Sequence, residues 1–210
     1  MTEAILQNGL AAAAAELRAV APAVNGDVPL LYGPLLAAVA PASDDDALAF
    51  ELIHEGYLLH YRHGRLLRPL GCETSLLAGD FFYARGLRLV ARRGDIAAVD
   101  LLTRLMASCA CLRASQAPFS HDDDLWVVTV AAIGALRAGG TAGPAQALFE
   151  RFHEFVDTGV AAAEASALSA AARASVRELH LSDASPLTEF LAGATVGPDR
   201  WLQSDYAGAA

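Results

Sequence analysis

The sequence contains no lysine: all 15 of its basic residues are arginine. Schiff-base and lysine-nucleophile chemistry is therefore excluded. Cysteine is scarce as well, with only Cys72, Cys109 and Cys111. An odd count leaves one thiol over, and residues two apart on a helix point to nearly opposite sides, so these read as reduced, structural thiols. Alternating apolar and polar stretches are nearly absent, which excludes a sheet-based architecture. Pro, Gly or charge interrupts every apolar run before it reaches bilayer length, and the N-terminus, carrying Glu3, shows no basic leader or apolar signal core. No membrane span and a cytoplasmic location are the expectation. No Gly-rich nucleotide loop, Ser-His-Asp pattern or cysteine metal pattern stands out, and no cofactor is expected.

What is present is a 210-residue chain, 54% apolar, which is enough for one sizeable core. The expectation is a single helical domain over residues 1–210. The formal charge is −9, yet nine of the 15 arginines fall between Arg62 and Arg113. With six acids from Glu51 onward that stretch carries +3, which leaves −12 for the remainder. A net acidic chain has no general attraction for nucleic acid, so the basic stretch points to a local anion or an acidic partner.

Helical periodicity and stop signals order the chain. A helix is predicted from Thr2 through Val20, ended by Pro22, Gly26 and Asp27, and a short one from Leu30 to Val39. Ser43 with Asp44, Asp45 and Asp46 reads as the cap of a helix over Ala47 to His63, in which Leu48, Leu52, Gly56 and Leu59 form one buried stripe and Gly64 is the C-cap. Further helices are predicted at Leu76 to Arg92, Ile96 to about Arg113, Leu125 to Arg137, and Pro144 to about Val156, with the Ala-rich segment offering an extension to Leu179. Gly94-Asp95 marks a turn, and Gly139-Gly140 closes the helix before it. His121 to Asp124 reads as another set of caps, Pro186 to Leu191 as a last short helix, and Trp201 and Tyr206 lie in the tail. The class is all-α.

Three constellations bear chemistry. Glu51 with His54 and Glu150 with His153 form two Glu-x-x-His pairs, a spacing used in di-metal helical bundles. Such a site also needs a Glu from each of two further helices, and none stands out. His60 and His63 are one turn apart, with His54 earlier on the same helix, but zinc needs four ligands and no Cys is placed to join them. Arg62, Arg65 and Arg68 follow in the connector, and Arg85, Arg88 and Arg92 recur at helical spacing. Guanidinium forks suit phosphate, while the plainer reading is a solvated face paired with acids.

The stretch from Glu51 to Ala84 resembles the polyprenyl synthetase family, the trans-isoprenyl diphosphate synthases. Glu51-Leu-Ile-His54 and Leu58-Leu59-His60 match the family's helix Glu-Leu-Ile-His-x-x-x-Leu-Leu-His. Ser75-Leu-Leu-Ala-Gly-Asp80 with Ala84 matches its Gly-Asp helix, including the nine-residue step from Gly71. Gly94-Asp95, Leu101-Leu102 and Gly134 to Gly139 continue the likeness more weakly. The resemblance implies an isoprenoid-synthase-type antiparallel helical bundle, truncated relative to the family.

The departures set the functional expectation. In the family, aspartates after that His hold Mg²⁺ for the allylic diphosphate; here those positions are Tyr61, Arg62, His63, Gly64 and Arg65, without a carboxylate. The second aspartate motif would fall near Gly159 to Glu164, where a lone Glu164 remains, and the isopentenyl diphosphate grip would fall at Pro29 to Pro34, which carries no cation. The resemblance thus implies a pseudoenzyme, not active alone, that pairs with a catalytic prenyl diphosphate synthase or with itself as a dimer. Phe81, Phe82 and Tyr83 would supply a dimer face. The alternative is a homodimeric binding protein for an isoprenoid or other apolar anionic ligand, with Arg62, Arg65 and Arg68 as anion-binding groups; a third is a di-metal oxidoreductase on Glu51, His54, Glu150 and His153.

Overall fold

A computed structural model describes residues 3–24, 26–39, 43–137 and 144–158, with residues 167, 170 and 171. Gly139-Gly140, Glu164, the extension to Leu179, the helix at Pro186 to Leu191, Trp201 and Tyr206 lie outside the described residues. The described residues form seven helices and no strand: α1 Glu3–Glu16, α2 Tyr32–Val39, α3 Asp44–Tyr61, α4 Cys72–Ala91, α5 Ile96–Ala114, α6 Phe119–Arg137 and α7 Pro144–Thr158. The all-α expectation is met. The chain divides into two compact units, residues 1–37 with 41–102, and 38–40 with 103–210.

The first unit is organised on α3. Its start is set locally: Ser43 Oγ accepts from the Asp46 amide (3.2 Å) and the Asp46 carboxylate accepts from the Ser43 amide (3.1 Å), a reciprocal capping box. Arg93 then pairs with Asp46 at 2.7 Å. The sequence suggests one buried stripe on this helix, but from Asp46 to Leu59 every residue except Leu48 is buried. A helix enclosed on all sides must find internal partners for its polar groups, and α3 carries Glu51, His54 and Glu55. Gly64 is not the cap. The C-cap is Arg62, whose amide donates to the Leu58 carbonyl, and a Cβ on Gly64 would stand 2.6 Å from the Leu59 side chain and 2.7 Å from Glu55.

Antiparallel to α3 lies α4, and small residues a heptad apart let the two backbones approach. A Cβ on Gly86 would come 2.8 Å from the Ala49 carbonyl oxygen, and one on Gly56 2.9 Å from that of Gly79. On Gly79 it would come 2.4 Å from His60. The Gly79 position is buried because no side chain fits there between α4 and His60 of α3. α1 adds Leu10, Ala13 and Ala14 to the core around Leu52, Leu59, Ala78 and Phe82. Between helices, residues 22–24 run beside 66–68, with Val24 and Arg68 amides donating to the Leu66 and Pro22 carbonyls (each 2.9 Å).

The second unit contains its own enclosed helix, α6, buried continuously from Asp124 to Gly134. Here the sequence expectation fails: the helix begins at Phe119, so His121 to Asp124 are helical and not caps, and Asp122 and Asp124 are buried. The reason is a cation outside the local pattern. Arg113, at the end of α5, reaches Asp122 (2.9 Å), lies 3.9 Å over the Phe119 ring and donates to the Ala117 carbonyl (2.7 Å), closing the turn between the helices. Phe149, Phe152 and Phe155 of α7 complete this core.

Candidate functional site

Glu51 and Glu55 are one turn apart on α3 and therefore share a face. Both side chains are fully buried. That face meets residues 29–33, which lead into the start of α2, and the connector after α3, and Arg65 from the connector turns inward between the two carboxylates. Its Nη1 donates to Glu51 Oε2 at 2.8 Å and to the Pro29 carbonyl at 2.6 Å; its Nε donates to Glu55 Oε2 at 3.1 Å; its Nη2 donates to the Glu51 carbonyl at 3.2 Å.

The other carboxylate oxygens are filled by main-chain donors. Glu51 Oε1 accepts from the Leu31 and Gly33 amides (both 2.8 Å), which places its charge at the N-terminus of α2, where the helix dipole favours an anion. Gly33 is required by the approach: a Cβ there would stand 2.7 Å from the Ala47 carbonyl oxygen and 3.0 Å from Glu51. Glu55 Oε1 accepts from the Arg65 and Leu66 amides (2.7 and 2.9 Å). Two carboxylates and one guanidinium thus lie in the core with four backbone N–H groups as the remaining counter-dipoles. Burial pushes the Glu55 carboxyl above its ordinary range, against the opposing pull of Arg65 and these amides. Burial alone would weaken the charge on Arg65, but Glu51 and Glu55 outweigh it and hold the guanidinium firmly protonated.

This arrangement corrects the reading of Arg65 as an anion-binding residue. Its fork already holds two carboxylates of the same chain. Arg62 lies 5.8 Å over the Tyr57 ring, and Arg68 is exposed, so the three connector arginines do not converge. Among the positions of the lost metal motif, Tyr61 tilts against Tyr57 (5.5 Å between rings), His63 is exposed and Gly64 packs on Leu59. On α4, Arg85 pairs with Glu16 of α1 at 2.8 Å. His60 stacks on Tyr83 (5.1 Å, 19°) and reaches Asp80 at 3.1 Å. Phe82 is wholly buried in the core and cannot belong to a dimer face, while Phe81 is edge-on to it and half-buried, as is Tyr83.

The Glu-x-x-His pairs are engaged elsewhere. Glu51 is the α2 cap, and His54 is buried edge-on to Tyr32 (4.8 Å) and stacked on Tyr57 (6.1 Å). Burial above all, with Arg65 and Arg62 adding to it, holds the His54 imidazole well below its usual pKa, so it is neutral at pH 7. In the second unit, Glu150 pairs with Arg104 and His153 Nδ1 shares a hydrogen bond with Ser108 Oγ at 2.6 Å. Among the described residues no three His, Cys, Asp or Glu side chains are grouped to hold a metal ion.

Folding also assembles a Ser-His-Asp line absent from the sequence pattern, since His153 Nε2 lies 3.7 Å from Asp157. It is unsuited to acyl transfer. Ser108 is buried in the middle of α5, where the backbone N–H groups are committed to the helix and none is left to stabilise an oxyanion. The line ties α5 to α7.

The residue that sequence reasoning missed is Glu55. A second acid one turn after Glu51 in so apolar a helix is the signal, since a buried acid requires a cation and the connector supplies one ten residues on. No helix among the described residues is long and apolar enough to cross a membrane. The fold and site define an all-α protein built on an internal carboxylate–guanidinium clamp. Comparison of the chain with protein-family models, curated proteins and solved structures finds no match.

Proposed function

We propose that this chain is a non-catalytic subunit of isoprenyl diphosphate synthase type, which associates with a catalytic polyprenyl diphosphate synthase and modulates its activity or product chain length. One observation carries the reading: the only acids on the latter part of α3, Glu51 and Glu55, are consumed by Arg65 and four backbone amides, and residues 61–65 add no carboxylate. Ionising an allylic diphosphate demands divalent cations on carboxylate oxygens to neutralise the departing diphosphate. A chain whose carboxylates in this region are spent on its own guanidinium lacks that means and contributes through a partner. The bundle type and the family resemblance of Glu51–His60 and Ser75–Asp80 belong to the same proposal.

The test has two parts. Purified protein with Mg²⁺, an allylic diphosphate and isopentenyl diphosphate is expected to release no diphosphate, and turnover by the chain alone would end the reading. Tagged protein recovered from its native lysate is expected to bring a prenyl synthase whose product lengths shift when the chain is added back. Recovery without any synthase would count equally against it. The ligand-binding alternative rested on Arg62, Arg65 and Arg68, and of these Arg65 is already engaged by Glu51 and Glu55.

A further inference from the structure

The chain contains two asparagines, Asn8 and Asn25, and each is followed by glycine. An Asn-Gly step carries its own chemistry. The side-chain carboxamide can close a five-membered ring with the amide nitrogen of the next residue, and a glycine there has no Cβ to obstruct the approach. Ring closure depends on the backbone, and the fold places the two steps in different surroundings.

Asn8 lies within α1, where the Gly9 amide is committed to the helix and helical ψ holds it away from the preceding side chain. This part of α1 is also pinned. Leu6 and Leu10 are buried, Gln7 bonds both the amide and the carbonyl of Val28 (3.1 and 2.7 Å), and a Cβ on Gly9 would stand 2.6 Å from Leu48 of α3. Cyclisation at Asn8 therefore requires α1 to open.

Asn25 lies outside the described residues, but the chain on either side of it is anchored. The Val24 amide donates to the Leu66 carbonyl at 2.9 Å, and Val28 is held by Gln7. Between these anchors Gly26 and Asp27 are exposed. Gly26 belongs to no helix; its φ of 97° is in the left-handed region, and nothing stands within 4 Å of where a Cβ would be.

We infer that Asn25 is a site of spontaneous modification, converted through a succinimide to aspartate and iso-aspartate while Asn8 is spared. The Gly26 amide nitrogen gives its proton to solvent base and attacks Asn25 Cγ; the Cγ–Nδ2 bond breaks and ammonia leaves. Water then opens the ring. Opening at Cγ restores the ordinary main chain with a carboxylate side chain, and opening at the main-chain carbonyl routes the chain through Cγ with one added methylene. Either product adds one negative charge to the formal −9. Charge and methylene fall next to exposed residues between two anchors, so the modified chain stays folded. This site does not depend on the proposed synthase role.

Incubating the intact chain in mildly alkaline buffer, followed by isoelectric focusing and peptide mass mapping, tests this. The folded protein is expected to gain a more acidic species whose mass change maps to position 25. Asn25 is expected to convert about tenfold or more faster than Asn8, because Asn8 must wait for α1 to open. In guanidinium chloride the two are expected to convert at similar rates. An iso-aspartyl carboxyl methyltransferase with S-adenosylmethionine is expected to methylate the aged folded chain. Asn25→Gln, checked for folding by circular dichroism, is expected to abolish the acidic species, and Asn8→Gln to leave it. A folded chain that gains no acidic species, conversion at Asn8 as fast as at Asn25, or an acidic species that survives Asn25→Gln would each overturn the inference.

Discussion

Arg65→Met is the perturbation that isolates the clamp, because Met keeps the stem and removes the fork. Arg65 donates to both Glu51 and Glu55 and to the Pro29 and Glu51 carbonyls, all at a site closed to water. Removing one partner of a buried ion pair costs about 3–5 kcal/mol, since the remaining charge stays desolvated, and here two carboxylates are orphaned at once. Against a typical domain stability of about 5–15 kcal/mol, the variant should lie near or past the edge of folding at pH 7. Replacing all three charges by apolar residues is not a cure here, because the amides of Leu31, Gly33, Arg65 and Leu66 would lose their acceptors. Adding Glu55→Gln is: it removes one orphaned charge while leaving an acceptor for the Arg65 and Leu66 amides, and should recover part of the loss. Arg65→Lys should fall between, as a single ammonium cannot fork across two carboxylates.

Urea unfolding followed by circular dichroism measures the difference, and amide exchange on α3 reads the first unit directly, with buried Trp126 of α6 reporting the second. The deficit should shrink on acidification. Without Arg65 the Glu55 carboxylate takes up its proton at a still higher pH than in the wild type, so stability recovers by at most about 1.4 kcal/mol per pH unit. An Arg65→Met loss under about 1 kcal/mol, or one that does not change with pH, would refute the clamp.

Gly86→Val should cost at least about 1–3 kcal/mol, since the added atoms meet Ile53 at 2.5 Å and the Ala49 carbonyl at 2.8 Å; Gly71→Ala, with nothing within 4 Å, should be close to neutral by the same urea assay. His54 is held below its ordinary value of 6.5, so its contribution is complete above that pH and is lost as the unfolded chain takes up a proton below it. His54→Phe should therefore flatten the acid limb of stability against pH, by up to about 1.4 kcal/mol per unit. Glu55 acts with the opposite sign: its raised folded value penalises the fold at neutral pH and the penalty is relieved as pH falls toward 4.5, so Glu55→Gln should remove that relief. Arg113→Met should destabilise the second unit by about 3 kcal/mol, read by Trp126 fluorescence, because it strips Asp122 of its guanidinium.

Most helix spans were readable from the chain because their signals are local. The Ser43 cap and the Gly94 turn, with φ of 73°, each depend on a few neighbouring residues. The start of α6 was not, since a capping-type run of Asp residues looks alike whether it faces water or a distant cation. Nor was the role of Arg65. An arginine after a helix reads as surface from its neighbours, and only the convergence of Pro29, Glu51 and Glu55 draws it inside. The aromatic run at residues 81–83 divides for a similar reason: Phe82 is buried in the core with Leu52 and Leu59, Tyr83 stacks on His60 of α3, and Phe81 lies half-buried and edge-on to Phe82.

The sequence by itself determined the helical class, because period, breakers and caps act over a turn or two of chain. It also determined that residues 61–65 hold no carboxylate, which is a matter of composition alone. The tertiary structure decided which polar residues meet. Burying α3 on every side forces Glu51 and Glu55 to find partners in segments ten to twenty residues away, and the desolvation cost of an unpaired charge selects Arg65.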